Sequence, residues 1–304
     1  MSVVTAFSPD WLALRESADA AARSTELLAP LRRDERRRVI RDLGCGTGSM
    51  GRWLAGRLNG PQHWILHDRD PLLLARAVEG MNGLTAADGS PVTTEVHEGD
   101  LTDLRGADLA GADLITASAL LDLLTFEQVE GLAEACVQAG CPSLLTLSVV
   151  GRVELTPSDP FDTDFAAAFN DHQRRGLLLG PDAPDTAAQA FERRGAVVRT
   201  RPSPWRLGPD QAELVREWLR GWVDAAVERR PDLDGDAYFQ RRLDSLESAV
   251  VHHSDLLALP EAALFENARS ETVRSETVRS ETVRSETVRS ENVRSENVRS
   301  EGGR

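Results

Sequence analysis

The chain has 304 residues, 49 of them acidic and 35 basic, for a formal charge of -14. It contains no lysine, so every basic side chain other than histidine is arginine. An acid balance of this size lacks the broad positive field that gathers polyanions, which argues against a nucleic-acid or anionic-membrane partner. From the N-terminus, Ser8-Pro9-Asp10 is a helix start signal, and apolar residues recur at helical spacing over residues 11–31. Residues 39–43 read as a strand, 51–58 as a helix and 63–67 as a second strand. Asp70-Pro71 begins a helix to about residue 82, and 92–97 and 112–116 are the third and fourth strands. A helix over 126–139 and a Leu- and Val-rich fifth strand over 143–150 follow. Strands separated by helices predict an open α/β sheet with mostly parallel strands.

Beyond Gly151 the rhythm changes. Thr156-Pro-Ser-Asp-Pro160 is a loop, 164–174 and 182–194 are helical, and 196–201 is a strand. Helices over 209–229 and 236–248 precede a last strand at 249–253. On the long helix Leu214, Val215, Trp218, Leu219, Trp222 and Val223 form one stripe, the pattern of a core-facing helix. From residue 269 the pentapeptide RSETV occurs four times and RSENV twice. A period of five brings valines onto no common face of a helix or a strand, so this segment builds no core and reads as disordered. The predicted organisation is an N-terminal helical segment at 1–38, a domain at 39–262 with helical insertions at about 151–181 and 202–248, and a low-complexity tail at 263–304.

Cys45, Cys136 and Cys141 offer no C-x-x-C pair and no nearby histidine at zinc-finger spacing, so neither a disulfide framework nor a bound metal is indicated. The acidic N-terminal thirty residues fit no secretory signal, and no run of 18 apolar residues exists. A soluble cytoplasmic protein without a membrane partner is the expectation.

The stretch VIRDLGCGTGSMG carries four glycines that admit two frames. Gly44, Gly46 and Gly48 spell G-x-G-x-G directly after the first strand, whereas Gly46, Gly48 and Gly51 spell the G-x-G-x-x-G of dinucleotide-binding folds. Either frame places flexible backbone and the free N–H groups of a helix start against a ligand. The second frame describes an NAD-type oxidoreductase and leaves Gly44 without a role.

VIRDLGCGTG resembles the first motif of class I S-adenosylmethionine-dependent methyltransferases, including the acidic Asp42 two residues before the first glycine. Asp68, at the end of HWILHD, falls where that family places a carboxylate for both ribose hydroxyls. Glu98-Gly99-Asp100-Leu101 resembles the third motif, whose aspartate lies against the adenine amino group, and residues 112–116 resemble the fourth strand, after which the chain passes under the transferable methyl. The resemblance implies a Rossmann-like α/β fold, S-adenosylmethionine as cofactor, and a binding set of Asp42, Gly44, Cys45, Gly46, Gly48, Asp68, Arg69, Asp100, Leu101 and Ala117. Gly51 becomes a helix-packing position.

Methyl transfer to a hydroxyl or amine gains from a base that removes the acceptor's proton. Asp122 after the fourth strand and His172 after the fifth are the candidates, against readings as a surface carboxylate and a solvated helix face. His252-His253 read as a structural pair at a sheet edge. The segment 11–15 with Asp19 and Arg23 is either a lid over the cofactor or a helix whose Arg15 and Asp19 form an ordinary surface pair. The acid balance and extra helices favour a small-molecule acceptor; a methyltransferase-like scaffold without turnover and a macromolecular acceptor stay open.

Overall fold

In the computed structural model, which describes residues 8–31 and 36–261, the chain builds an eight-stranded sheet. The repeat tail expected to be disordered lies outside the described residues. Helix α1 (Pro9–Ala22) is capped by Ser8, whose hydroxyl accepts from the Asp10 N–H. Strand β1 (Arg38–Leu43), helix α2 (Ser49–Ala55), β2 (Gln62–Asp68), α3 (Pro71–Met81), β3 (Val92–Glu98), β4 (Leu114–Ser118), α4 (Phe126–Ala139) and β5 (Ser143–Thr156) follow. These five strands are parallel in the order β3-β2-β1-β4-β5. The register sets Asp42 beside Leu66 and Thr116, so the carboxyl ends of β1, β2 and β4 finish together.

The remainder is antiparallel. After α5 (Asp162–Gln173) and α6 (Ala183–Arg193) come β6 (Val197–Pro202) and β7 (Trp205–Leu207), then α7 (Ala212–Arg229), α8 (Gly235–Ser245) and β8 (Ser248–Leu259). Strand β8 inserts between β5 and β6, and β7 pairs with its first half. The fold is a Rossmann-like α/β sheet, mostly parallel, with helices on both sides. One apolar cluster joins Leu43, Ile115, Ala117 and Leu145 of the sheet to Val129 and Cys136 of α4 and Phe191 of α6. A second joins Trp205, Val251 and Phe165 to Leu214, Trp218, Trp222 and Tyr238, so the predicted stripe on α7 is core-facing. Among the described residues no helix is long and apolar enough to cross a membrane.

Several boundaries differ from the sequence expectation. Helix α1 stops at Ala22 because Arg23 turns extended (φ -54, ψ 132), leaving only a short turn at Glu26–Leu28. Strand β5 continues past residue 150, since Gly151 at φ 71 lets it bend at a register shift and run on to Thr156. Strand β8 runs through Asp255 to Leu259, because that buried carboxylate is satisfied by the N–H groups of Ser24 (2.7 Å) and Leu147 (2.8 Å). His252 and His253 therefore sit on an interior strand, not at a sheet edge.

Candidate functional site

The glycine loop leaves β1 at Gly44. Gly44, Gly46 and Gly48 have φ of 65°, 54° and 85°, the left-handed region where side chains are strained, and Gly48 caps α2. A Cβ on Gly46 would lie 3.3 Å from Leu12 Cδ1, and one on Gly48 would lie 3.1 Å from the Ala77 backbone. Gly51, inside α2, packs instead: its Cβ would stand 2.5 Å from Met81 of α3.

Above this loop is a cavity of about 340 Å³ at the carboxyl ends of β1 to β4, the usual ligand position of open α/β sheets. It collects Asp42, Gly44, Cys45, Gly46, Asp68, Arg69, Asp100 and Leu101. Asp68 accepts the Gly46 N–H on Oδ2 (2.9 Å) and the Asp70 N–H on Oδ1 (3.0 Å), which fixes its carboxylate against the loop and leaves each oxygen a further lone pair. Asp42 is buried under the loop, where Thr116 Oγ1 donates to its Oδ1 at 2.7 Å and Oδ2 has no partner among the described residues. Burial pushes its carboxyl up to about 7, opposed by the Thr116 bond and the Arg23 cation. Asp100 is exposed and accepts the backbone N–H and hydroxyl of Thr102, which holds its carboxyl below the ordinary range. It caps a turn and faces the cavity at once. Burial pushes the Cys45 thiol up, so this cysteine is wall and not nucleophile.

Two expected residues are placed differently. Ala117 lies in the apolar cluster under α4 and α6, because strand alternation turns it to the face opposite Thr116; Ser118, Ala119 and Leu120 line the cavity instead. Gly48 shapes the turn without lining the cavity.

Helix α1 covers this cavity through Leu12, Arg15 and Asp19. Arg15 and Asp19 are no ordinary surface pair: their side chains are 13% and 6% exposed, and Trp205 Nε1 donates to Asp19 Oδ1 at 2.9 Å. Arg23, also buried, donates from Nη2 to Ser49 Oγ (3.1 Å) and Ser118 Oγ (3.0 Å), tying the end of α1 to the start of α2 and the end of β4.

A second cavity of about 500 Å³ shares Arg15, Ala119 and Leu123 with the first. Its walls include Trp11, Phe169, Trp205, Trp218 and Trp222, and both candidate bases, Asp122 and His172, line it. Burial raises the Asp122 carboxyl above the ordinary range. His172 Nε2 lies 2.9 Å from Glu228 and its Nδ1 3.2 Å from Arg175. His253 is buried 5.3 Å from the Trp205 ring, and desolvation pushes it down to about 3, so it is neutral. Ala119, at the wall common to both cavities, has φ 52, strain of the kind that concentrates at functional sites. Neither Ala119 nor Trp205 carries a motif that marks it in the sequence.

No protein-family model matches the chain, and no curated protein matches it. In structure it is similar to a cyclopropane synthase from Mycobacterium tuberculosis, at 11% identity over 83% of this chain and 94% of that one with a TM-score of 0.48. It is also similar to an S-adenosylmethionine-dependent methyltransferase from Geobacter sulfurreducens in complex with S-adenosyl-L-homocysteine, at 17% identity over 84% and 99% with a TM-score of 0.42. A putative sarcosine dimethylglycine methyltransferase from Galdieria sulphuraria aligns at 14% identity over 83% and 85% with a TM-score of 0.39.

Proposed function

We propose that the chain is an S-adenosylmethionine-dependent methyltransferase acting on a small-molecule acceptor held in the second cavity. The observation that carries this reading is the pair of cavities meeting at Arg15, Ala119 and Leu123, one built on a glycine loop and the other walled by tryptophans. The donor site fits an adenosyl group with a charged amino-acid end. Three left-handed glycines keep side chains out of the loop, and Asp68 offers carboxylate lone pairs for vicinal hydroxyls. Asp42, Gly44, Gly46, Asp68, Arg69, Asp100 and Leu101 would hold it. When bound it supplies a methyl group on a sulfonium.

The chain's own contribution is position and proton handling. Helix α1 contributes Leu12, Arg15 and Asp19 to the wall of the first cavity, while the aromatic walls of the second would hold the acceptor toward the shared wall. Asp122 receives the acceptor's proton. The rival dinucleotide reading is disfavoured by Gly44, which lines the cavity as the first residue off β1, and by β8, which runs antiparallel where dinucleotide folds continue a parallel order. Isothermal calorimetry with S-adenosylhomocysteine tests the proposal: saturable binding is expected. Absence of heat at millimolar ligand, with thermal stabilisation by NADH, overturns it.

A further inference from the structure

The wall shared by the two cavities contains one charge, the guanidinium of Arg15. It is held rigidly. Its Nε donates to both oxygens of Asp19 (3.2 and 3.0 Å) and its Nη2 to Oδ1 (3.1 Å), while Trp205 lies 4.8 Å and Trp11 5.9 Å from its carbon. Asp19 is itself fixed by the Trp205 N–H. These bonds leave the Nη1 edge outside the Asp19 clamp, on a side chain that lines both cavities. Around it stand Asp19 on the same helix, Arg23 at that helix's end, Trp205 on β7, neutral His253 on β8 and Asp122 in the segment after β4. Glu217 and Asp224 also line the second cavity, but on exposed positions of α7, and Asp224 pairs with Arg220.

A fixed cation at this point repels an ammonium and favours an oxygen that carries or develops negative charge. The second cavity is lined by Trp11, Trp205, Trp218 and Trp222, aromatic surfaces that suit a flat ring. We propose that Arg15 selects an aromatic hydroxyl as the methyl acceptor, with Asp122 taking its proton. The inference deepens the methyltransferase reading and rests on it. In the reaction the acceptor oxygen forms a bond to the methyl carbon, the carbon–sulfur bond breaks with its electron pair going to sulfur, and the hydroxyl proton passes to the Asp122 carboxylate. The products are an aryl methyl ether and a neutral thioether.

The test reads the acceptor cavity without any methyl donor. 4-Nitrophenol is titrated into the full chain and its phenolate absorbance followed against pH, with benzylammonium as a cationic ring of similar size read by tryptophan fluorescence. Saturable nitrophenol binding is expected, with ionisation about one pH unit lower than in free solution, as an adjacent opposite charge produces. Benzylammonium is expected to bind at least about tenfold more weakly. Arg15→Gln should return the bound probe's ionisation to its free value, whereas Asp122→Asn should keep the shift or enlarge it. The inference is overturned if nitrophenol does not bind, if its ionisation is unshifted, or if benzylammonium binds more tightly. Separate calorimetry with S-adenosylhomocysteine on the parent protein reports on the methyl-donor reading, so the two failures are distinguishable, and a circular-dichroism melt shows whether Arg15→Gln has kept its fold.

Discussion

The two cavities are made in different ways. The first cavity, the proposed donor site, is backbone: three glycines in left-handed conformation, the ends of four parallel strands, and carboxylates set by main-chain N–H groups. The second cavity, the proposed acceptor site, is side chain: tryptophans from α1, β7 and α7, with Asp122 and His172 also lining it. Backbone geometry tolerates few sequences, whereas a side-chain wall is reshaped by any substitution that keeps volume. The first cavity is therefore specified by a motif and the second by packing.

Substitutions that strike one cavity and spare the other sharpen this contrast. The largest effect is expected for Asp122→Asn. With an acceptor that turns over, kcat should fall by roughly 10²–10⁴, the usual contribution of a positioned base, while S-adenosylhomocysteine affinity is unchanged. Loss of affinity in step with kcat would tie Asp122 to the donor side. Next is Asp68→Ala, which removes a carboxylate proposed to accept hydroxyl hydrogen bonds worth roughly 1.5–3 kcal/mol each, so calorimetric affinity should drop by at least about a hundredfold. The aromatic probe should still bind.

Smaller again is the difference between two glycines. Gly46→Ala forces a side chain into φ 54 at a strain of about 1–2 kcal/mol and should weaken S-adenosylhomocysteine about tenfold. Gly51→Ala needs only the flexible end of Met81 to move, so affinity should stay within about twofold. Equal losses would restore the dinucleotide frame.

The cavities should also respond to pH with opposite sign. Asp42, raised by burial to about 7, holds its proton more tightly folded than unfolded, so its contribution to stability is full below the unfolded value and is lost as pH rises toward 7. His253, lowered by burial to about 3, contributes stability above the unfolded value near 6.5 that is lost as pH falls toward 3. Melting temperatures across pH should show Asp42→Asn gaining on the parent at pH 8 and His253→Gln flattening the acid limb. A parallel response of both variants would contradict the opposed burial of these groups.

Legibility in the sequence follows the same division. Asp42, the glycines, Asp68 and Asp100 keep fixed offsets from strand ends, and the resemblance to a family's motif series marks them. Ala117 is expected at the cofactor because the strand end marks the region, yet alternation decides which residue faces the cavity, and Ser118 to Leu120 line it. Arg15 and Asp19 carry the spacing of a surface pair, and Trp205, 186 residues along, is one of the groups packed on it. Strand β7 is three residues between Pro204 and Gly208, too short for periodicity to register. Strand β8 passes a charged residue that local pattern reads as an end, because its partners come from elsewhere in the chain.

That residue, Asp255, has a bearing on when the fold is completed. Its two oxygens take N–H groups of Ser24, just past the first helix, and of Leu147, left-handed at φ 57 where β5 shifts register and lines the acceptor cavity. The helix over the first cavity and the wall of the second thus share a fastening supplied by β8. During synthesis the glycine loop and β1 to β4 emerge long before that fastening exists. A nascent chain halted before residue 255 would carry the whole glycine-loop motif without that fastening.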